Sequence, residues 1–431
     1  MQELRVDIEI QGTFVTTGYI FGNSVNDACF KYDTSYVERP AGVPISISLP
    51  FQDEPFSPDK TRNYFEGLLP EGFSRKSVAK WMHADENDYL SILYGLGKEC
   101  LGAVRISDDS IQEDKPSYEL LWEEQVHELA CEGATKSAQL VTEAHLSLTG
   151  ASGKVGLYYD AGNDRWYMPM GTAPSTHILK QSHIRLDSIV SNERLALLTA
   201  SKLGIDVPDS FIVGAGDKNE EDVLFATRRF DRRISAANNR SISGMPSPIR
   251  LHQEDFAQAM GVPAAQKYEE QQRGYLGKMF ELLALYSADP IEDQLKLWDI
   301  IIFDYLVGNT DDHIKNISLL YGENMDNIRL APAYDIVSTV VYKNSTRNMS
   351  IYIGGERSLD RINRDTFADA ARETGFNPKM ILNCFDRLSS GFEAALSEAA
   401  QELETAGFEK AVSISDTILQ KGGIAAVRQN K

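Results

Sequence analysis

Asp311, Asn316 and Asp335 have the side-chain types and the spacing for metal-assisted phosphoryl transfer. The first two lie in Asp304-Tyr-Leu-Val-Gly-Asn-Thr-Asp-Asp-His-Ile-Lys-Asn316, in an Asp-x-x-x-x-Asn relation. In phosphoryl-transfer loops with that spacing, the Asp takes or orients a hydroxyl proton and the Asn holds magnesium. Asp335 follows in Ala331-Pro-Ala-Tyr-Asp-Ile-Val337, a second carboxylate for the same metal ions. A polar loop capping a helix end would carry the same pair, with Asp335 an ordinary turn residue, so the spacing alone leaves both readings open.

The elements that must position these residues are legible on either side. Leu297 to Val307 is a largely apolar run that Gly308 breaks, and Ile317 to Tyr321 is apolar again. The polar loop therefore hangs between two buried elements, where catalytic groups concentrate. Upstream, Leu146 and Leu148, then Val155 and Leu157, alternate with other residues around Gly150-Ala-Ser-Gly153. Two strands joined by such a loop let backbone amides approach phosphate oxygens. It is not a Walker A loop, since Leu148 and Val155 occupy positions that need Gly and Ser/Thr. Lys180 ends the strand Thr176–Lys180, where a phosphate-pairing lysine could sit. Asn192 to Leu203 reads as a helix, with Glu193 in its first turn and in reach of Lys180. Val223 to Asp231 starts as a buried strand and ends in Arg228 and Arg229, where a hinge would hold adenine, and Arg232 and Arg233 extend the basic cluster. A plain hairpin, a solvated lysine, a first-turn carboxylate and a solvated basic surface are the simpler alternatives.

At 431 residues the chain exceeds what one core usually serves. With 42% hydrophobic and 25% charged residues it has an ordinary globular composition. Its apolar runs are too short for a membrane span. Met1-Gln-Glu-Leu-Arg-Val lacks the basic start and apolar core of a signal peptide. Cys29, Cys100, Cys131 and Cys384 are scattered, which suits a reducing cytoplasm and argues against structural zinc. The net charge of −20 opposes non-specific nucleic-acid binding and favours a basic partner.

Strands are expected over residues 4–11, Phe14–Phe21, Ala28–Tyr32, Ile45–Leu49 and Leu101–Ile106, with helices over Thr61–Leu69, Ser74–Met82 and Asp88–Leu96. This predicts an N-terminal α+β subdomain over 1–106, a linker over 107–120, a small lobe over 121–234 and a helical large lobe over 235–431. Ser235 to Pro248 reads as a mobile loop. Helices are expected over Gln253–Met260, Gly274–Ala288, Asp293–Val307, Pro378–Thr405 and Glu409–Leu419. Arg357, Arg361 and Arg364 recur at roughly helical spacing, as a basic strip or as plain surface arginines.

In this order the pieces resemble the HipA family, kinase toxins of bacterial toxin–antitoxin operons. The segments carrying the resemblance are Tyr64-Phe-Glu-Gly-Leu-Leu-Pro-Glu71, Gly102-Ala-Val104, Ser147-Leu-Thr-Gly-Ala-Ser-Gly-Lys154, Thr176–Lys180, Arg229-Phe-Asp-Arg232, Gly308–Asn316 and Tyr334-Asp335. The resemblance implies an α+β, two-lobed protein-kinase-like fold, with the N-terminal subdomain on the small lobe and a mainly helical large lobe. It implies ATP, Mg2+ and a serine or threonine acceptor on a protein. Asp311 would be the general base, and Asn316 and Asp335 would hold magnesium. Thr149, Gly150, Ala151, Ser152, Gly153 and Lys154 would cover the phosphates, and Lys180 would pair with them. Arg228, Arg229 and Phe230 would lie along adenine, with His313, Lys315 and Tyr334 near the nucleotide. Ser147 matches an autophosphorylated serine that silences the kinase. The implied partners are a helix-turn-helix antitoxin, operator DNA through that antitoxin, and a translation-related substrate such as an aminoacyl-tRNA synthetase. Ser152-Gly153 and Arg228 depart from the family's best-known member, which has a Gln-Glu pair and an acidic hinge residue there. The competing readings are a small-molecule kinase and a non-catalytic co-repressor.

Overall fold

The computed structural model describes residues 2–40, 42–108, 115–131, 153–181, 186–214, 222–234 and 240–429. Strands β1 (Gln2–Ile10), β2 (Thr13–Gly22), β3 (Cys29–Tyr32) and β4 (Val104–Ser107) form an antiparallel sheet in the order β3-β2-β1-β4. Alternation along β1 buries Leu4, Val6 and Ile8 on one face. The opposite face is not solvated: Asp7 and Glu9 are buried too. Asp7 accepts a 2.8 Å bond from Arg105 on the neighbouring strand, and Glu9 one of 2.8 Å from Arg250, far along the chain. Between β3 and β4 lie helices α1 (Pro58–Phe65), α2 (Gly72–Trp81) and α3 (Tyr89–Leu96). α1 is shorter than the helix expected over 61–69, because its end tightens into a 3-10 turn over Glu66–Leu68.

Residues 45–49 do not form the expected strand. Between Pro44 and Pro50, the backbone turns so that Ser46 Oγ and the Ile47 amide donate to the buried Glu254 carboxylate, which also accepts from the Tyr321 hydroxyl. Burial outweighs these bonds and pushes the Glu254 carboxyl up to about 7. Its folded pKa thus lies above its unfolded value, and the stability it contributes when protonated is lost as pH rises from about 4.5 to about 7. Glu254→Gln is expected to narrow the gap between denaturation midpoints measured at about pH 5 and about pH 8. An unchanged gap would show that Glu254 ionises freely.

The second sheet contains β5 (Ser117–Leu120), β6 (Lys154–Asp160), β7 (Arg165–Met170), β8 (His177–Gln181), β9 (Ser210–Gly214) and β10 (Val223–Arg228). Their order is β5-β7-β6-β8-β10-β9, with antiparallel neighbours throughout. The span 107–120 is thus not all linker. Its last four residues pair with β7, and Tyr118 packs on Tyr158 with ring centroids 4.3 Å apart. The first strand and the loop of the hairpin expected at 145–153 fall, apart from Gly153, outside the described residues. Helix α4 (Ile189–Lys202) crosses behind β9 and β10.

Six arginine and acidic side chains lock the two sheets together. Glu99 accepts from Arg229, Arg232 and Arg250, Asp231 from Arg229 at 2.7 Å, and Glu9 from Arg250. All six are buried. The cluster read as a solvated basic surface is therefore divided: Arg228 and Arg233 are exposed, whereas Arg229 and Arg232 are interior ion-pair partners.

The remainder is mainly helical, with α5 (Tyr275–Tyr286), α6 (Pro290–Val307), α7 (Arg364–Glu373), α8 (Pro378–Thr405) and α9 (Lys410–Lys421). α8 is one continuous helix against α4, α6, α7 and α9. Residues 253–255, expected as helix, form a short strand beside Ser318–Leu320. Residues 241–246 of the expected mobile loop form a small hairpin. Arg357, Arg361 and Arg364 do not share a helix. Arg357 lies on a short strand, Arg361 pairs with Glu356, and Arg364 opens α7 facing Asp386. Among the described residues no helix is long and apolar enough to cross a membrane.

Candidate active site

Helix α6 presents the polar loop. Its last turns are wholly buried, and it stops at Gly308, whose φ of 74° favours glycine. A Cβ there would also come within 2.7 Å of Val340. The loop is then held from both sides. Asn309 Nδ2 donates to Asp304, while the Thr310 amide donates to Thr339 Oγ1 at 2.9 Å. The Asn316 amide group donates to the Asp311 carbonyl at 3.1 Å, which leaves its Oδ1 as the free-facing oxygen. Ser338, three residues beyond Asp335, exchanges two bonds with Asn192 of α4. The Asp311 and Asp335 segments are thus tied to each other and to the helix that carries Glu193.

Lys154 and Lys180 are directly opposed across β6 and β8. Two buried ammonium groups side by side repel unless a carboxylate intervenes. Asp335 supplies it: Lys180 Nζ lies 2.6 Å from Oδ1 and Lys154 Nζ 3.1 Å from Oδ2. Lys180 also reaches Glu193 Oε1 at 2.5 Å, so the pairing read from the sequence is present. Glu193 sits in the second turn of α4 rather than the first, since the helix begins at Ile189. Burial raises the Asp335 carboxyl, but Lys154 and Lys180 outweigh it and hold it well below the usual carboxylate range. Asp335 adopts φ 59°, a left-handed conformation that turns its carboxylate towards the lysines.

Asp311, Asn316, His313, Lys154 and Asp335 all face one polar chamber of about 490 Å³. Beside it lies an apolar slot walled by Ile178, Leu197, Pro208, Phe230 and Tyr334, and sharing Lys154 and Asp335 with the chamber. Burial raises the Asp311 carboxyl, and a 2.6 Å bond from the Tyr268 hydroxyl pulls it partly back. Burial, aided by Lys267, pushes His313 down to about 3, so its ring is neutral, and its Nδ1 has no hydrogen-bond partner among the described residues.

The remaining candidates divide. Phe230 and Tyr334 pack with centroids 5.4 Å apart at the slot. The Arg228 side chain is half exposed beside Asp209, while the Arg228 and Arg229 amides donate to Asp209 and Thr176 carbonyls. Neither N–H is therefore available to adenine, and the Arg229 side chain is committed to Glu99 and Asp231. Lys315 is buried, bonded to Asp255 at 2.8 Å and to the Gly67 carbonyl at 3.1 Å, and lines the polar chamber. Gly153 and Lys154 are in place, but Ser147, Thr149, Gly150, Ala151 and Ser152 lie outside the described residues.

Three residues near the base escaped the sequence reading. Glu71 lies 2.6 Å from Lys267 and 3.6 Å from Lys315, which places the Tyr64–Glu71 segment beneath the loop. Tyr268 caps Asp311. Glu71 ends the Tyr64–Glu71 segment, whose sequence gives it no role of its own, and nothing local marks Lys267 or Tyr268.

A mixed sheet-and-helix lobe, a helical lobe and a lysine–glutamate–aspartate bridge between them define a two-lobed, protein-kinase-like α+β protein. The chain matches the HipA N-terminal domain over residues 8–107 and the HipA-like C-terminal domain over residues 146–396. It belongs to the HipA family. It is 31% identical to "Putative kinase Y4mE" of Sinorhizobium fredii, covering 88% of this chain and 87% of that protein. It is 22% identical to the serine/threonine-protein kinase toxin HipA of Shewanella oneidensis, covering 83% and 81%. The fold matches a chain of the Shewanella oneidensis HipA, HipB and operator DNA complex with a TM-score of 0.76 at 19% identity, covering 98% of this chain and 99% of that one.

Proposed function

We propose that this chain is an ATP- and magnesium-dependent serine/threonine protein kinase acting as the toxin of a type II toxin–antitoxin system. The observation that carries the reading is Lys180, in the wall of the slot, bridging Glu193 to Asp335, which also lines the chamber that Asp311 and Asn316 face. Asp335 and the Asn316 Oδ1 are hard oxygen donors of the kind magnesium takes. Among the described residues no group of three or more His, Cys, Asp or Glu side chains could hold a metal ion. An ion held by Asp335 and Asn316 would be completed by phosphate oxygens. The bound ion would neutralise charge on the phosphates.

The chain's own residues supply the rest. Ile178, Leu197 and Phe230 give the slot an apolar wall for a purine, and Lys154 and Lys180 exchange the Asp335 carboxylate for phosphate oxygens. Asp311 takes the proton of the acceptor hydroxyl as its oxygen bonds to the γ-phosphorus and the bond to ADP breaks. The division into subdomain (1–106), linker (107–120), small lobe (121–234) and large lobe (235–431) remains our proposal, with the strand at 117–120 reassigned to the sheet. Ser147 is the proposed autophosphorylation site. About two added negative charges beside the triphosphate would expel that loop. A helix-turn-helix antitoxin, which reaches operator DNA, is the proposed partner, and the net charge of −20 suits a basic protein of that kind. A translation-related protein, such as an aminoacyl-tRNA synthetase, is the proposed substrate.

Intact-mass spectrometry after incubation with magnesium-ATP tests the reading. The native protein is expected to gain phosphate at Ser147, and Asp311→Asn to gain none. A protein shown to start unmodified that binds ATP yet gains no phosphate would favour the small-molecule kinase. Failure to bind ATP would favour the co-repressor.

A further inference from the structure

We propose that Tyr268 is the positioning residue of the acceptor site. Its phenol hydroxyl stands where an acceptor hydroxyl must donate to Asp311, and it keeps water from that place until the acceptor displaces it. The inference rests on the kinase reading. Tyr268 Oη donates to Asp311 Oδ1 at 2.6 Å, which is the bond an acceptor serine or threonine has to make to a general base.

The backbone around Tyr268 is pinned. Lys267 Nζ is 2.6 Å from Glu71, and the Glu269 amide donates to the Ser350 carbonyl at 2.8 Å. The buried Glu269 carboxylate accepts the amides of Arg273, Tyr275 and Tyr352. The side chain between these anchors is different. It is 39% exposed, so it can swing outward while burying no new polar group. The His313 ring, edge-on at 5.1 Å, forms the wall against which it rests. An uncapped Asp311 in an open polar chamber would orient a water molecule as readily as a hydroxyl side chain. Transfer to water would then waste ATP, and the Tyr268 cap opposes it.

The test is multiple-turnover ADP release from magnesium-ATP with no acceptor added, measured in a Ser147→Ala background so that self-silencing does not stop turnover, for the otherwise native protein, Tyr268→Phe, Tyr268→Ala and Tyr268→Phe with Asp311→Asn. Tyr268→Phe is expected to raise kcat for ADP release by about fivefold or more, with the KM for ATP unchanged within about twofold. Tyr268→Ala should raise it further, and the added Asp311→Asn should abolish the gain. Tyr268→Phe keeps the ring against His313, so an unchanged melting midpoint is expected, and a rise in KM together with a lower midpoint would mark mere loosening and sink the proposal. Equal ADP release by the Ser147→Ala protein with and without Tyr268→Phe, when the native protein does autophosphorylate, would overturn the proposal and leave the kinase reading standing. Phosphate mapped to Tyr268 itself would also overturn it, since the phenol would then be an acceptor rather than a stand-in. No ADP release and no phosphate transfer in any variant would overturn both.

Discussion

Replacing Asp335 with asparagine is expected to lower phosphoryl transfer by about 10³-fold while leaving the fold intact. Asparagine is among the few residues that tolerate the φ of 59° held at this position, so the backbone has no reason to move. The volume of the side chain is kept, but one negative charge is lost and one of the two oxygens that accept from Lys180 and Lys154 becomes an amide donor. That charge has two duties. Without nucleotide it separates Lys154 and Lys180, which face each other across β6 and β8. With nucleotide it would hold magnesium. On that reading the variant would lose an ion worth several kcal/mol of transition-state stabilisation. It also frees two lysines from a competing carboxylate. Magnesium-free ATP should consequently bind more tightly to Asp335→Asn than to the native protein, even as transfer collapses. Calorimetric titration with and without magnesium, beside single-turnover transfer, separates the two effects. Retention of transfer within about tenfold would exclude Asp335 as a metal ligand.

The second large effect concerns stability. Glu99→Gln is expected to destabilise the protein by about 3–5 kcal/mol, because it removes one member of a buried, charge-balanced cluster. Glu99, Glu9 and Asp231 face Arg229, Arg232 and Arg250 in the interior. Glutamine keeps the shape but leaves three guanidinium groups with two carboxylates. The sign of the pH dependence follows. Burial raises the Glu99 carboxyl, but Arg232, Arg250 and Arg229 overcome this and hold it down to about 2. Its stabilising contribution is therefore present above the ordinary glutamate value and is lost as pH falls towards about 2. Urea denaturation of Glu99→Gln should show a lowered midpoint at neutral pH and a smaller acid-induced loss than the native protein. Because the cluster joins the N-terminal sheet to the strand leading into the apolar slot proposed for the purine, weaker ATP binding should accompany the loss. A midpoint unchanged from the native protein would mean the cluster is not what holds these parts together.

Much of the candidate site was legible because its signals are local. Asp311 and Asn316 share one loop, and Gly308 marks the end of the helix that carries it. The alternation around Ile178 and Lys180 indicates which face of a strand the lysine takes. The helix at Asn192 identifies Glu193 as a partner for that lysine. These follow from chain geometry within a few residues, whereas the chemistry of the loop, which spacing alone left open, and the two-lobed α+β class were read from the resemblance of the ordered segments to the HipA family.

The tertiary structure decided what depends on residues distant in the chain. Register set Lys154 opposite Lys180, and the left-handed turn at Asp335 put its carboxylate between them. Arg229 and Arg232 read as surface residues because their counter-charges, Glu99 and Asp231, meet them only after the two sheets pack. The Ile45–Leu49 alternation reads as a strand, yet the Ile47 amide and the Ser46 hydroxyl found Glu254 instead of a strand partner. Lys315 lies four residues from the candidate base, but Asp255 and the Gly67 carbonyl claim it. Tyr268 and Asp311 are separated by 43 residues, and no periodicity records that one hydroxyl ends 2.6 Å from the other's carboxylate. Local pattern reports which groups a segment can offer, and packing, register and buried charge determine which of those offers are taken up.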